Sequence, residues 1–194
     1  MTLTRTILAG IATLATSIAA SAQEAPISLA ACNTACDNCL RISEPILTDP
    51  SETWKGITQV KGAVADTMLN VLQLTDTIGA ETDAKIYKIR SCSLNETLTL
   101  STYQVVGSAG SRDESIYAVV FMNGTPISHT CIGILKTDCA STYVRGCAVE
   151  EDGTLRIAEL EHKFDCDTDA LLSTEPYEDT VLRLRADGLF EPVR

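Results

Sequence analysis

Tyr117-Ala118-Val119-Val120-Phe121-Met122-Asn123-Gly124-Thr125-Pro126-Ile127-Ser128 is the stretch on which the fold turns. The runs Ser115–Met122 and Thr125–Leu135 on either side are rich in β-branched and aromatic residues, which fit a pleated surface. Asn-Gly takes positive φ cheaply at both positions of a two-residue turn, and that geometry matches the twist of paired strands. The same signal recurs twice downstream. Asp152-Gly153 separates Tyr143–Glu151 from Thr154–Phe164, and Asp187-Gly188 separates Thr180–Ala186 from Leu189–Val193. Upstream, Glu96–Val106 partly alternates as a strand with one wet face does, and Ala84–Ser91 precedes it. About eight closely spaced strands linked by hairpins predict a mainly β fold: an antiparallel meander, built as a sandwich or an open barrel. No helical run between strands is long enough for parallel crossovers, which disfavours Rossmann-like and thioredoxin-like sheets.

Ahead of the strands the period changes. Asp49-Pro50-Ser51-Glu52 reads as a helix start, with Asp49 as N-cap, Pro50 at the first position and Glu52 closing a capping box. Trp54, Ile57, Val60, Val64, Met68, Val71 and Leu72 then recur at steps of mostly three and four. This predicts one amphipathic helix over about 50–74, with Trp54 as a core anchor. Gly56 and Gly62 each weaken it by about 1 kcal/mol relative to alanine, so its stability must come from packing on the sheet. Residues 49–194 are thus expected to form a single β-rich domain.

The N-terminus reads as an export signal. Arg5 precedes the apolar or small run Ile7–Ala20, and Ala20-Ser21-Ala22 is a small-x-small cleavage site. At about 14 residues the run is shorter than the roughly 20 of a membrane-spanning helix, and no later segment is longer. Cleavage after Ala22 leaves a secreted or periplasmic chain beginning at Gln23. A lipoprotein reading at Leu29-Ala30-Ala31-Cys32 competes, but Gln23, Glu24 and Pro26 separate that motif from the apolar run. The full chain carries 15 basic and 26 acidic residues in 194, a net charge of −11. Such a surface repels phosphate backbones, which argues against nucleic acid, and steers toward a basic protein partner.

Export decides how the eight cysteines are read, because an even number in an oxidising compartment points to disulfides. All of Cys32, Cys36, Cys39, Cys92, Cys131, Cys139, Cys147 and Cys166 are candidates. Cys32, Cys36 and Cys39 crowd a Cys-rich segment over 23–48, where a local clamp is expected. Cys131 and Cys147 each stand eight residues from Cys139. A symmetric hairpin would therefore place them face to face, and a one-residue slip would turn them apart. Three alternatives use the N-terminal group. The spacing Cys32-x3-Cys36-x2-Cys39 matches an iron–sulfur motif without its reducing setting or its α/β barrel. A zinc knuckle lacks an evident fourth ligand. Cys36-Asp37-Asn38-Cys39 is a C-x-x-C suited to thiol redox chemistry, although Asp37 opposes thiolate formation and no strand clearly precedes it.

Asp165, Asp167 and Asp169 alternate like the first ligands of a calcium loop. Ala170 stands where glycine belongs, and Glu175 falls one short of the twelfth position, so an acidic solvated loop is the stronger reading. His129 and His162 are the available neutral-pH bases, and no G-x-S-x-G elbow accompanies them. Asn95 and Asn123 head two glycosylation sequons. No cofactor motif beyond these is evident.

The run Tyr117–Ser128, together with Glu151-Asp152-Gly153-Thr154-Leu155-Arg156-Ile157 and the closing Leu182–Phe190, resembles uncharacterised exported bacterial β-rich proteins. The resemblance covers roughly residues 84–193. It implies export and a β-fold and brings no catalytic residue with it. The expected function is that of an exported, disulfide-stabilised, non-enzymatic domain acting by surface binding, in the manner of an inhibitor or immunity protein. A redox protein using Cys36 and Cys39 and a calcium-binding protein are the alternatives.

Overall fold

The computed structural model describes residues 25–30, 32, 57–72, 84–107 and 114–193. In chain order they form β1 (Thr58–Val60), α1 (Ala63–Val71), β2 (Lys85–Ser93), β3 (Leu98–Val106), β4 (Glu114–Met122), β5 (Thr125–Thr137), β6 (Ser141–Val149), β7 (Leu155–Phe164), β8 (Leu171–Pro176), β9 (Thr180–Leu184) and β10 (Phe190–Pro192). The strands make one open antiparallel sheet, ordered β1 through β7 and then β9 and β10, with β8 paired to β7 alone. The expected meander is therefore present, with ten strands in place of about eight. The main addition is β8, which occupies a stretch that reads in sequence as the tail of an acidic loop.

The three glycine turns are built in two ways. At the first, Asn123 has φ 50° and Gly124 φ 82°, the two-residue hairpin that Asn-Gly favours. At the other two only the glycine is left-handed: Gly153 and Gly188 both have φ 82°. The Gly153 N–H donates to the Glu150 carbonyl and the Gly188 N–H to the Arg185 carbonyl. These are three-residue loops closed by a left-handed glycine, not two-residue turns. In the first of them Asp152 Oδ1 accepts from both the amide and the hydroxyl of Thr154. That hydroxyl holds the Asp152 carboxyl below its ordinary range.

Two apolar layers flank the sheet's centre. Leu98, Leu100, Ile116, Ala118, Val120 and Ile132 pack with Cys147, Leu155, Ile157, Leu182 and Leu184 in the larger one. Tyr103, Val105, Val119 and Ile86 meet Met68 and Leu72 in the smaller one. Strand β3 is buried nearly throughout, which explains why its sequence alternates only in part.

The large layer has a lid from the N-terminus. Ile27 N–H donates to the Leu184 carbonyl at 2.8 Å and Leu29 N–H to the Gly153 carbonyl at 3.1 Å. Leu29 is fully buried and Cys32 is bonded to Cys92, with Cα atoms 5.7 Å apart. Part of the Cys-rich segment is thus a strap woven into the core.

The helix requires a correction. Of the span 50–74, residues 58–60 form β1, which pairs with β2 through Thr58↔Lys88 and Val60↔Ile86, and α1 covers only nine residues. Gly62 has φ 61° at the helix N-cap, a left-handed conformation that ends any helix arriving from upstream. Val60 therefore serves a strand, while Val64 is 63% exposed. Met68 and Leu72 do pack on the sheet. The Asp49–Glu52 start, Trp54 and Gly56 lie outside the described residues.

Candidate interaction surface

Strands β6, β7 and β8 carry a ladder of polar side chains. Arg145 Nη2 meets Glu159 Oε1 at 2.6 Å across the Arg145↔Glu159 register pair, and Tyr143 OH donates to Glu159 Oε2. Both members of the ion pair are about four-fifths shielded from water. One strand further out, Lys163 Nζ donates to Glu175 Oε1 at 2.8 Å and Tyr177 OH to Glu161 Oε2 at 2.9 Å. Tyr143 and Tyr177 meet edge to face at 5.9 Å, and His162 Nδ1 lies 2.9 Å from Thr174 Oγ1. A disulfide between Cys139 and Cys166 ties the β5–β6 loop to the β7–β8 loop. Asp138 Oδ1 accepts from the Ala140 and Ser141 amides in one loop, and Asp165 Oδ1 from the Asp167 and Thr168 amides in the other. Those amides hold the Asp165 carboxyl below its ordinary range.

On this braced frame β8 projects. Leu171 is 57% exposed, Leu172 66% and Tyr177 47%, three large apolar groups facing water in one segment. Tyr177 N–H donates to the Glu159 carbonyl at 3.0 Å, and β8 pairs with β7 through Glu161↔Glu175 and Lys163↔Ser173. Ser173 and Glu175 thus turn their backbone groups to β7. Thr174 consequently turns its N–H and carbonyl away from the sheet.

The remaining candidates fall elsewhere. Cys131 and Cys147 are not bonded to one another. Strands β5 and β6 pair as Ile134↔Arg145 and Leu135↔Val144, a register one residue off the symmetric one. The offset is already present at Thr137↔Thr142, next to the turn in which Asp138 N–H donates to the Ser141 carbonyl, so the turn sets it. Cys147 consequently enters the core, while Cys131 Sγ donates to the Gly133 carbonyl and its own carbonyl accepts from Arg145 Nη1 at 3.4 Å. Burial raises the Cys131 thiol above its ordinary value against the opposing pull of Arg145. Burial likewise pushes the Tyr117 phenol up to about 12 and lowers the His129 imidazole. His129 meets the Tyr117 ring edge-on at 6.4 Å. Burial thus works against thiolate formation at Cys131, the opposite of what activates a cysteine nucleophile.

Cys36 and Cys39 lie outside the described residues. Asp165, Asp167, Asp169 and Glu175 are not gathered around a common point: the Asp165 carboxylate caps its own turn and Glu175 reaches for Lys163. Among the described residues no cluster of three or more His, Cys, Asp or Glu is placed to hold a metal ion. Nor is any helix long and apolar enough to cross a membrane. Asn95 uses its side-chain oxygen to cap the β2–β3 turn, accepting from the Thr97 and Leu98 amides.

One polar pair is buried in the sheet itself. Glu114 is 1% exposed and its Oε2 accepts from Gln104 Nε2 at 3.2 Å. Burial raises the Glu114 carboxyl, and the hydrogen bond from Gln104 offsets this only in part.

Comparison of the chain with protein-family models, curated proteins and solved structures finds no match. The features that sequence reasoning passed over are β8 and its leucines. The run Leu171–Pro176 did carry a signal, a six-residue stretch bounded by acidic turns, but its exposure is a property of the sheet order.

Proposed function

We propose that the chain is an exported, disulfide-stabilised domain that acts by surface binding to a cationic protein partner, not by catalysis. The observation that carries this reading is the placement of charge. Between Glu150 and Val193 stand 13 acidic and 4 basic residues, half of all the acidic residues in the chain. Arg156, Lys163, Arg183 and Arg185 are all engaged in ion pairs there. Asp167, Asp169 and Glu178 have no ion-pair partner among the described residues, so the field of this face is strongly negative and attracts cations.

The strap supports export by a cleaved signal. Ile27, whose N–H bonds the Leu184 carbonyl, stands four residues beyond Gln23, so cleavage after Ala22 would keep the strap in the mature chain. Lipoprotein processing at Cys32 would remove Ile27 and Leu29 from the fold and acylate a sulfur that is instead bonded to Cys92. N-terminal sequencing of the exported protein should begin at Gln23, and a lipid-modified Cys32 would overturn cleavage after Ala22. Binding is tested by immobilising the oxidised protein and applying the soluble envelope fraction across a salt series. Basic proteins should be retained at low salt and lost from an Asp167→Asn/Asp169→Asn/Glu178→Gln variant. Equal retention by that variant refutes the charge-based reading.

A further inference from the structure

The face just described ends in an unused strand edge. β8 pairs on one side with β7, and no strand among the described residues pairs with its other side. Thr174 turns a donor and an acceptor outward there, and Pro176 adds an outward carbonyl in the same phase. Sheets ordinarily protect such edges, most often with lysine or by covering them. β8 contains no lysine, and its Leu171 and Leu172 are among the most exposed large apolar side chains of the described residues. The bulge between Lys163 and Phe164 and the proline at position 176 limit the open stretch to a few residues. The edge therefore suits a short guest strand and not indefinite stacking.

Charge says what that guest is. From Asp165 to Asp179 the chain holds six carboxylates and no lysine or arginine. Only Glu175 and Asp179 of the six are ion-paired, with Lys163 and Arg156. A second copy of this chain would bring the same six carboxylates against them, so pairing of two β8 edges is electrostatically opposed. An extended segment alternating lysine or arginine with apolar residues meets every feature at once. Its backbone bonds Thr174, its apolar side chains cover Leu171, Leu172 and Tyr177, and its cations lie among Asp167, Asp169 and Glu178.

We infer that the outer edge of β8 is a β-augmentation site for a basic, extended segment of the partner. This rests on the proposed function and adds where and how that partner is held.

The probe is a fluorescent octapeptide alternating lysine and valine, with a lysine–proline octapeptide of equal charge as the control that cannot pair. Anisotropy at low salt should show binding of the first at least tenfold tighter than the second. Hydrogen exchange should show slowing at the Thr174 amide of the wild-type protein when the first peptide is bound. Thr174→Pro, which removes the outward N–H and the side-chain contact to His162 but no backbone bond to β7, should reduce affinity for the lysine–valine peptide about tenfold, and Thr174→Val, which removes only the side-chain contact, should leave it unchanged. The exchange measurement needs no variant and decides the matter if Thr174→Pro fails to fold. Equal affinity for both peptides, or an unprotected Thr174 amide in the complex, overturns the edge site. The charge-based function survives that result if basic envelope proteins are still retained by wild type and lost from the Asp167→Asn/Asp169→Asn/Glu178→Gln variant. Thr174 protection without peptide, in a dimer seen by sedimentation, overturns the inference in favour of self-pairing.

Discussion

Opening the Cys32–Cys92 bridge is the perturbation whose cost the structure lets one work out most fully. Its ends are 60 residues apart in sequence, against 27 for Cys139–Cys166. The chain-entropy relation assigns about 4 kcal/mol to closing the longer loop and about 3.5 kcal/mol to the shorter one. Loop length alone thus barely separates the two, and burial must decide. Cys32 is 1% exposed and Cys92 7%, both within the large apolar layer, whereas Cys139 and Cys166 are exposed. Removing the buried sulfurs also leaves an unfilled volume beneath Leu29, a further loss of about 1 kcal/mol. Cys32→Ala/Cys92→Ala should therefore cost about 5 kcal/mol, and Cys139→Ala/Cys166→Ala about 3 kcal/mol. Urea titration of the mature, oxidised protein measures both, and the m-value should rise as the unfolded chain is released from its cross-link. For a chain of this size the first variant should melt roughly 10 °C or more below wild type. A loss below about 1 kcal/mol for Cys32→Ala/Cys92→Ala, or a larger loss for the exposed pair, would refute the reasoning. The first result would mean that Leu29 and its backbone hydrogen bonds hold the strap without the bridge, and the second that burial does not rank the two bridges.

Three further outcomes are expected. Gly153→Ala should destabilise by more than the about 1–2 kcal/mol of a left-handed alanine, because its Cβ would stand 2.9 Å from Ser28 Cα; chemical denaturation measures the loss, and a cost under about 0.5 kcal/mol contradicts the packing of the strap. The raised carboxyl of Glu114 means that the folded state holds its proton to higher pH than the unfolded chain does, so its favourable contribution is complete below the unfolded value and fades as pH rises through the folded one. Stability measured from pH 4 upward should accordingly decline by up to about 1.4 kcal/mol per pH unit in that window from this group, and Glu114→Gln should flatten the decline. Arg145→Met, which leaves Glu159 largely shielded from water with Tyr143 as its remaining partner, should cost about 1–3 kcal/mol, and a neutral result would show that the pair contributes nothing net.

The turns and the order of the strands were legible from the residues alone because their causes are local. Asn123-Gly124 adopts positive φ at both positions for steric reasons that no distant contact needs to supply, and the flanking β-branched runs then have only one short way to pair. The expectation of export rests on a pattern equally local, the run Ile7–Ala20 with Ala20-Ser21-Ala22. The partly alternating β3 and the docking of Met68 and Leu72 on the sheet were likewise visible as periodicity.

Register, exposure and the partners of cysteines belong to the tertiary structure. Cys131 and Cys147 sit symmetrically about their loop, yet the turn over Asp138–Ser141 closes one residue off that symmetry, and the two sulfurs go to different surroundings. Cys32 finds Cys92 across 60 residues because the strap lies over the core, a closure that spacing cannot encode. Gly62 looked like a mild weakness in a long helix, but its left-handed φ splits that stretch into β1 and α1 once an open edge of β2 is there to be paired. The leucines of β8 are apolar in any reading. Only the sheet order, which places β8 beside β7 with nothing beyond it, leaves them facing water among six carboxylates. Hydrophobic burial and strand pairing are global, and a side chain's surroundings are set by what the rest of the chain brings to it.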